Sequence, residues 1–194
     1  MNEKTSRLVK VSLLSAIALI LRYIEFPMIP LFPWLQIDLS DVPAMIGTFG
    51  FGPIVGVVIE LLKNVLIVAI KGTGTGFVGE VANFLFGVAL ILPAGLIYHK
   101  KKSKKTAILG MILGAVSIQI VGVIANVYLL LPAYGMHMDN AHLIQYITVG
   151  LLPINGVKAL IVSVLTYILY KKISVSIFKA EPNFGSPKNK TKTI

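Results

Sequence analysis

Cysteine is absent from this 194-residue chain, which excludes disulfides, thiolate metal sites and cysteine nucleophiles. Metal-ligand spacing is missing too: His99, His137 and His142 stand apart and read as interfacial histidines, so no metal is expected. The chain has no Walker lysine pattern, nucleophile elbow, zincin motif or paired-aspartate phosphotransfer motif. Gly72-x-Gly-x-Gly76 follows no strand of a βαβ unit, so a phosphate-cradling role has no support. Catalysis is not indicated. Charge is also scarce, at 13% of residues, against roughly 25% in ordinary soluble domains.

Apolar residues take the place of charge. They make up 56% of the chain, and the mean hydropathy is +0.84, the composition of an integral membrane protein. The length allows about six spans of roughly 20 residues each, so any ATP chemistry has to come from a partner. The net charge of +10 does not point to nucleic acid, because 14 of the 18 basic residues fall in three clusters. These are Lys4 to Lys10, Lys100 to Lys105 and Lys171 to Lys192, the pattern of cytoplasmic ends. The charged start and apolar run at the N-terminus resemble a signal peptide. No small-residue cleavage site follows, and the run is expected to be a retained first span.

The apolar runs and their breakers predict an all-α integral membrane protein, a bundle of six transmembrane helices with an outer-face lid loop after the first. Spans are expected over residues 8–26, 43–51, 53–70, 77–98, 106–131 and 153–173. Asp41-Val-Pro43 reads as a helix start, with Asp41 as N-cap and the proline in the first turn. The second span is too short to cross straight and is broken by Gly50-Phe-Gly52-Pro. Residues 28–42 form a proline-punctuated apolar loop on the outer face, and residues 132–145 a polar outer loop with room for a short helix. Residues 1–175 form a single domain, and 176–194 a basic cytoplasmic tail expected to be disordered. Six crossings put both termini on the cytoplasmic side. No internal repeat is visible, which counts against an inverted-repeat transporter.

Polar residues within the spans are costly and need a reason. Placed by helical rise, Glu80 and Asn83 of the fourth span, Asn126 of the fifth, and Asn155 and Lys158 of the sixth all fall in the outer third. Three spans thus supply hydrogen-bonding groups at one depth, which points to a pocket open outward beneath the lid loop. The plainer alternative is that interfacial ends tolerate polar residues, with Glu80 and Lys158 neutralising each other. Glu60 and Lys63 read as a self-compensating i,i+3 pair, and Arg22 with Glu25 as an interfacial one. Gly52-x-x-x-Gly56 and Gly110-x-x-x-Gly114 read as internal packing patterns. Ser12, Ser15, Ala16 and Ala18 form a small-residue face on the first helix. A lining of three amides, one amine and one carboxylate amid apolar side chains suits a planar, mostly apolar ligand with polar edges.

Five motifs together carry a family resemblance: Ile24-Glu-Phe-Pro27, Leu35-Gln-Ile-Asp38-Leu-Ser-Asp41-Val-Pro-Ala44, Gly52-Pro with Lys63-Asn64, Gly79-Glu-Val-Ala-Asn83-Phe, and Pro153-Ile-Asn155-Gly-Val-Lys158. Over residues 8–172 the chain resembles the riboflavin-specific substrate-binding (S) components of energy-coupling factor (ECF) transporters. The resemblance implies a non-enzymatic subunit of a prokaryotic cell membrane that captures riboflavin at the outer face. It also implies a transmembrane coupling subunit and two cytoplasmic ATPases as partners, and no cofactor beyond the transported riboflavin. Asn126, Asn155 and Lys158 would hold the flavin ring, with Leu35 and Gln36 in the covering loop and Glu80 and Asn83 near the ribityl hydroxyls. Ser12 and Ala16 would face the coupling subunit, where the family more often has two alanines. A related S component for another vitamin, and a non-transport membrane subunit, stay open as alternatives.

Overall fold

The computed structural model describes residues 2–178. Helix α1 (Glu3–Arg22) begins where the Asn2 side chain accepts from the Lys4 amide and ends just before Tyr23. It starts earlier than its apolar run because the cap and not hydropathy sets the first turn, and it stops at Arg22, ahead of Pro27. The loop that follows is more ordered than its prolines promise. Strands β1 (Phe26–Pro27) and β2 (Gln36–Ile37) pair antiparallel, Phe26 opposite Ile37 and Pro27 opposite Gln36. Between them Phe32 is buried against Leu131, Tyr146 and Leu151, so the loop is docked onto the bundle.

Helix α2 (Asp41–Phe51) is buried continuously from Asp41 to Phe49. Its 11 residues rise only about 16 Å, about half the hydrocarbon thickness of a bilayer. Gly52, at φ 116°, makes the sharp junction to α3 (Pro53–Lys71), a conformation that side chains other than glycine resist. After the 72–77 turn come α4 (Val78–Lys100) and α5 (Lys104–Ala125), the latter opened by a reciprocal Ser103–Thr106 capping box. The α4–α5 contact is close: a Cβ on Gly110 would lie 2.7 Å from the Ala94 carbonyl oxygen, and one on Gly114 would strike that of Leu90. These glycines therefore serve internal packing, as their spacing predicts.

Helix α5 runs on through a π-helical stretch, Asn126–Leu130, into the short α6 (Leu131–Ala133). Helix α7 (Asn140–Gln145) likewise continues through a second π-helical stretch, Tyr146–Leu151, into α8 (Leu152–Phe178). The sixth apolar run thus starts well before Pro153. Four segments among the described residues are long and apolar enough to cross a membrane: Pro53–Lys71, Val78–Lys100, Lys104–Ala133 and Asn140–Tyr170. The core at one end stacks Phe49, Tyr98 and Tyr170. Of the expected tail, residues 179–194 lie outside the described residues.

Candidate binding site

A cavity of about 700 Å³ opens where the 23–40 loop, the 72–77 turn and the ends of α3, α4, α5 and α8 meet. All seven residues expected to bind ligand line it: Leu35, Gln36, Glu80, Asn83, Asn126, Asn155 and Lys158. They reach one place because α4 and α8 begin beside the cavity while α5 ends there, so three helices share one depth.

The amides differ in how firmly they are held. Asn126 is 2% exposed; its Nδ2 donates to the Gly122 carbonyl at 2.8 Å, and its Oδ1 accepts from the Tyr146 hydroxyl at 2.8 Å. Asn126 and Tyr146 open the two π-helical stretches, a distortion that often accompanies functional sites. Asn155 Nδ2 and Asn83 Oδ1 are buried, and among the described residues neither has a hydrogen-bond partner. One is a donor and one an acceptor, and such groups are costly unless a ligand or water meets them. Apolar and aromatic walls come from Trp34, Leu35, Phe86 and Tyr146.

Lys158 does not pair with Glu80. Its ammonium lies 2.9 Å from Asp41 Oδ2 and 3.4 Å from Asp38 Oδ2. Glu80 accepts from the hydroxyls of Thr73 at 3.1 Å and Thr75 at 2.9 Å. The expectation that Asp41 caps α2 is wrong. Asp41 is the first residue of the helix, preceded by Ser40 with no side-chain cap bond, and its carboxylate bridges Lys158 and Lys63, the latter at 2.8 Å. Two ammonium partners in a buried setting outweigh one backbone amide. Glu60 and Lys63 do pair, fully buried at 2.5 Å, as their spacing predicts. Gly87 makes room for the Glu60 carboxylate. The charges thus alternate from α8 through α2 to α3: Lys158, Asp41, Lys63, Glu60.

Asp38, in the loop, gathers several elements. Its Oδ1 accepts from the Ser40 amide at 2.8 Å and from the Ser40 hydroxyl. Its Oδ2 faces Lys158, Asn83 at 3.5 Å and Arg22 at 3.6 Å. Burial opposes its ionisation, but Lys158, with help from Lys63 and Arg22, outweighs burial and the nearby Asp41, and holds the carboxyl below its ordinary range. Arg22 and Glu25 are ion-paired at the cavity mouth, so that pair also belongs to the site.

Sequence reasoning left Asp38, Asp41 and Tyr146 out of the site. A signal for the aspartates existed: two lysines inside apolar runs need counter-charges, and the chain has only 8 acidic residues. None marked Tyr146. The small-residue face on α1 is divided, with Ser12 and Ala16 exposed and Ser15 and Ala18 buried. Ser12 and Ala16 lie away from the cavity.

Residues 6–170 match the family of ECF transporter substrate-specific components. This chain belongs to that family. The S component is 38% identical over 176 residues to riboflavin transporter RibU of Staphylococcus aureus (strain TCH60), covering 89% of this chain and 92% of the relative. It is 37% identical to riboflavin transporter FmnP of Bacillus subtilis (strain 168), covering 88% and 93%. A solved structure, the S component of a bacterial ECF transporter, superposes with a TM-score of 0.78 at 37% identity, covering 90% of this chain and 99% of that one. The S component is a helical membrane protein of transport, not an enzyme.

Proposed function

We propose that this S component binds riboflavin at the outer face of a prokaryotic cell membrane and delivers it inward when coupled to an ATPase module. The observation that carries the reading is the cavity itself. Its 700 Å³ falls within the roughly 300–1,000 Å³ of small-molecule sites. Its polar groups, Asn126, Asn155 and Lys158, converge on one side amid apolar walls, with an orphan donor on Asn155 and an orphan acceptor on Asn83. A flavin ring has apolar faces and an edge of alternating carbonyl acceptors and an N–H donor, which answers that set. In this reading the amides and Lys158 hold the ring edge, Leu35 and Gln36 cover it as part of a lid, and Glu80 with Asn83 meets the ribityl hydroxyls. The curated relatives bear the name of riboflavin transporters.

The S component contributes binding and not energy. We assign ATP hydrolysis to two cytoplasmic ATPases, reached through a transmembrane coupling subunit that docks on the exposed Ser12 and Ala16 of α1. Both termini face the cytoplasm in this arrangement, with α1 and the short α2 completing six crossings. Riboflavin titration of the detergent-purified protein, followed by flavin fluorescence, tests the ligand. Asn155→Ala and Lys158→Ala should each weaken binding by about 1 to 3 kcal/mol through an unpaired polar group on the ligand. Unchanged affinity in both variants would overturn the site assignment, and saturable binding of a different vitamin would overturn the substrate.

A further inference from the structure

We propose that Asp38 and Asp41 are positioning residues for Lys158: their carboxylates flank its ammonium as ion-pair partners, and donor capacity is left for the ligand. The proposal deepens the riboflavin reading and rests on it for the identity of the acceptor. An ammonium has three donors on a freely rotating head, so a lysine alone defines a charge but no direction. Here direction comes from outside. Asp41 Oδ1 is held by Lys63 at 2.8 Å, leaving Oδ2 for Lys158 at 2.9 Å. Asp38 Oδ1 is held by the Ser40 amide at 2.8 Å, leaving Oδ2 toward Lys158 at 3.4 Å. Each carboxylate is anchored through one oxygen and presents the other. Lys158 is 8% exposed and lines the cavity, so its remaining donor capacity has that space to address.

The same arrangement specifies the acceptor. The charge of Lys158 is already balanced by protein carboxylates, and an anionic ligand group beside Asp38 would meet like charge. A neutral carbonyl is the acceptor that fits. Asp38 stands in the loop and Asp41 at the head of α2, so the loop and α2 both set the direction of a lysine on α8.

The test combines ligand affinity with lysine chemistry. Riboflavin dissociation constants are measured for the wild type, Asp38→Asn, Asp41→Asn, Lys158→Met and both combinations with Lys158→Met. Each Asp variant alone should weaken binding by about tenfold, the range of a lost charge-assisted hydrogen bond. In the Lys158→Met background the same changes should cost less than about twofold, since nothing remains to position. Losses that multiply fully in that background would make the aspartates merely structural and overturn the proposal. Independently of any ligand, acylation of Lys158 by acetic anhydride, read by peptide mass spectrometry, should speed up in Asp38→Asn, whose substituted residue lies outside the helices. An unchanged acylation rate would also overturn the proposal. A wild type that binds no riboflavin would sink the ligand reading, while the acylation result still decides the role of the aspartates.

Discussion

Replacing Lys63 with methionine tests how the buried charges hold the bundle together. Lys63 is fully buried, and its ammonium serves Glu60 at 2.5 Å, Asp41 at 2.8 Å and the Ser40 hydroxyl at 2.9 Å. Methionine roughly matches the stem, so packing changes little and the charge is what is lost. Asp41 keeps Lys158 at 2.9 Å, but Glu60 has no second ionic partner among the described residues. Removing one member of a buried pair costs about 3 to 5 kcal/mol. For a chain of this size each kcal/mol moves the melting temperature by roughly 2 to 4 °C, so Lys63→Met should melt about 6 to 20 °C lower. The charge-balanced Lys63→Met/Glu60→Gln should recover most of that loss, since the orphan carboxylate is gone. Thermal unfolding in detergent, followed by loss of helical signal, measures both. A single variant melting within about 2 °C of the wild type, or a double variant no better than the single, would show that the Lys63–Glu60 pair does not hold the bundle in this way.

Other predictions address separate parts of the molecule. Tyr146→Phe removes the hydroxyl that fixes the Asn126 amide at 2.8 Å, and should weaken riboflavin binding by about 0.5 to 1.5 kcal/mol in a fluorescence titration. Gly114→Ala puts a methyl group against the Leu90 carbonyl, and should destabilise the bundle by about 1 to 3 kcal/mol in thermal unfolding while leaving ligand selectivity unchanged. The carboxyl of Asp38 is held below its ordinary value near 3.8. Its stabilising contribution is therefore present above that value and lost as pH falls through the folded-state value. Melting followed downward from about pH 5 should fall more steeply in the wild type than in Asp38→Asn.

How much of this could be read from the chain alone follows from the range of each interaction. Helices α3, α4 and α5 were legible because apolar runs and the Gly52-Pro53 break are local signals, whereas the Ser103 cap of α5 was not read. The shared depth of Asn83, Asn126, Asn155 and Lys158 was legible because helical rise is regular and span direction alternates. The β1–β2 ladder was not, since two-residue strands carry no period and form only when the loop docks through Phe32. Nor were the π-helical stretches that open at Asn126 and Tyr146, whose first residues meet through a hydrogen bond between positions 20 apart in the chain. The Lys158–Asp38 contact spans 120 residues of sequence. The local helix-start pattern at Asp41-Val-Pro43 suggested a cap, and the tertiary ion pairs took the carboxylate instead. Ser12 and Ala16 were legible as small residues, but only the packing of α1 separates them from buried Ser15 and Ala18.

In the proposed function, the cavity edged by Asn126, Asn155 and Lys158 holds a flavin. The most direct measurement is an absorbance and fluorescence spectrum of the detergent-purified protein, followed by titration with riboflavin. A flavin site there gives either a co-purified flavin spectrum or saturable quenching at low ligand concentration, weakened in Lys158→Ala. A demonstrably folded sample that carries no flavin and shows no saturable response would contradict it.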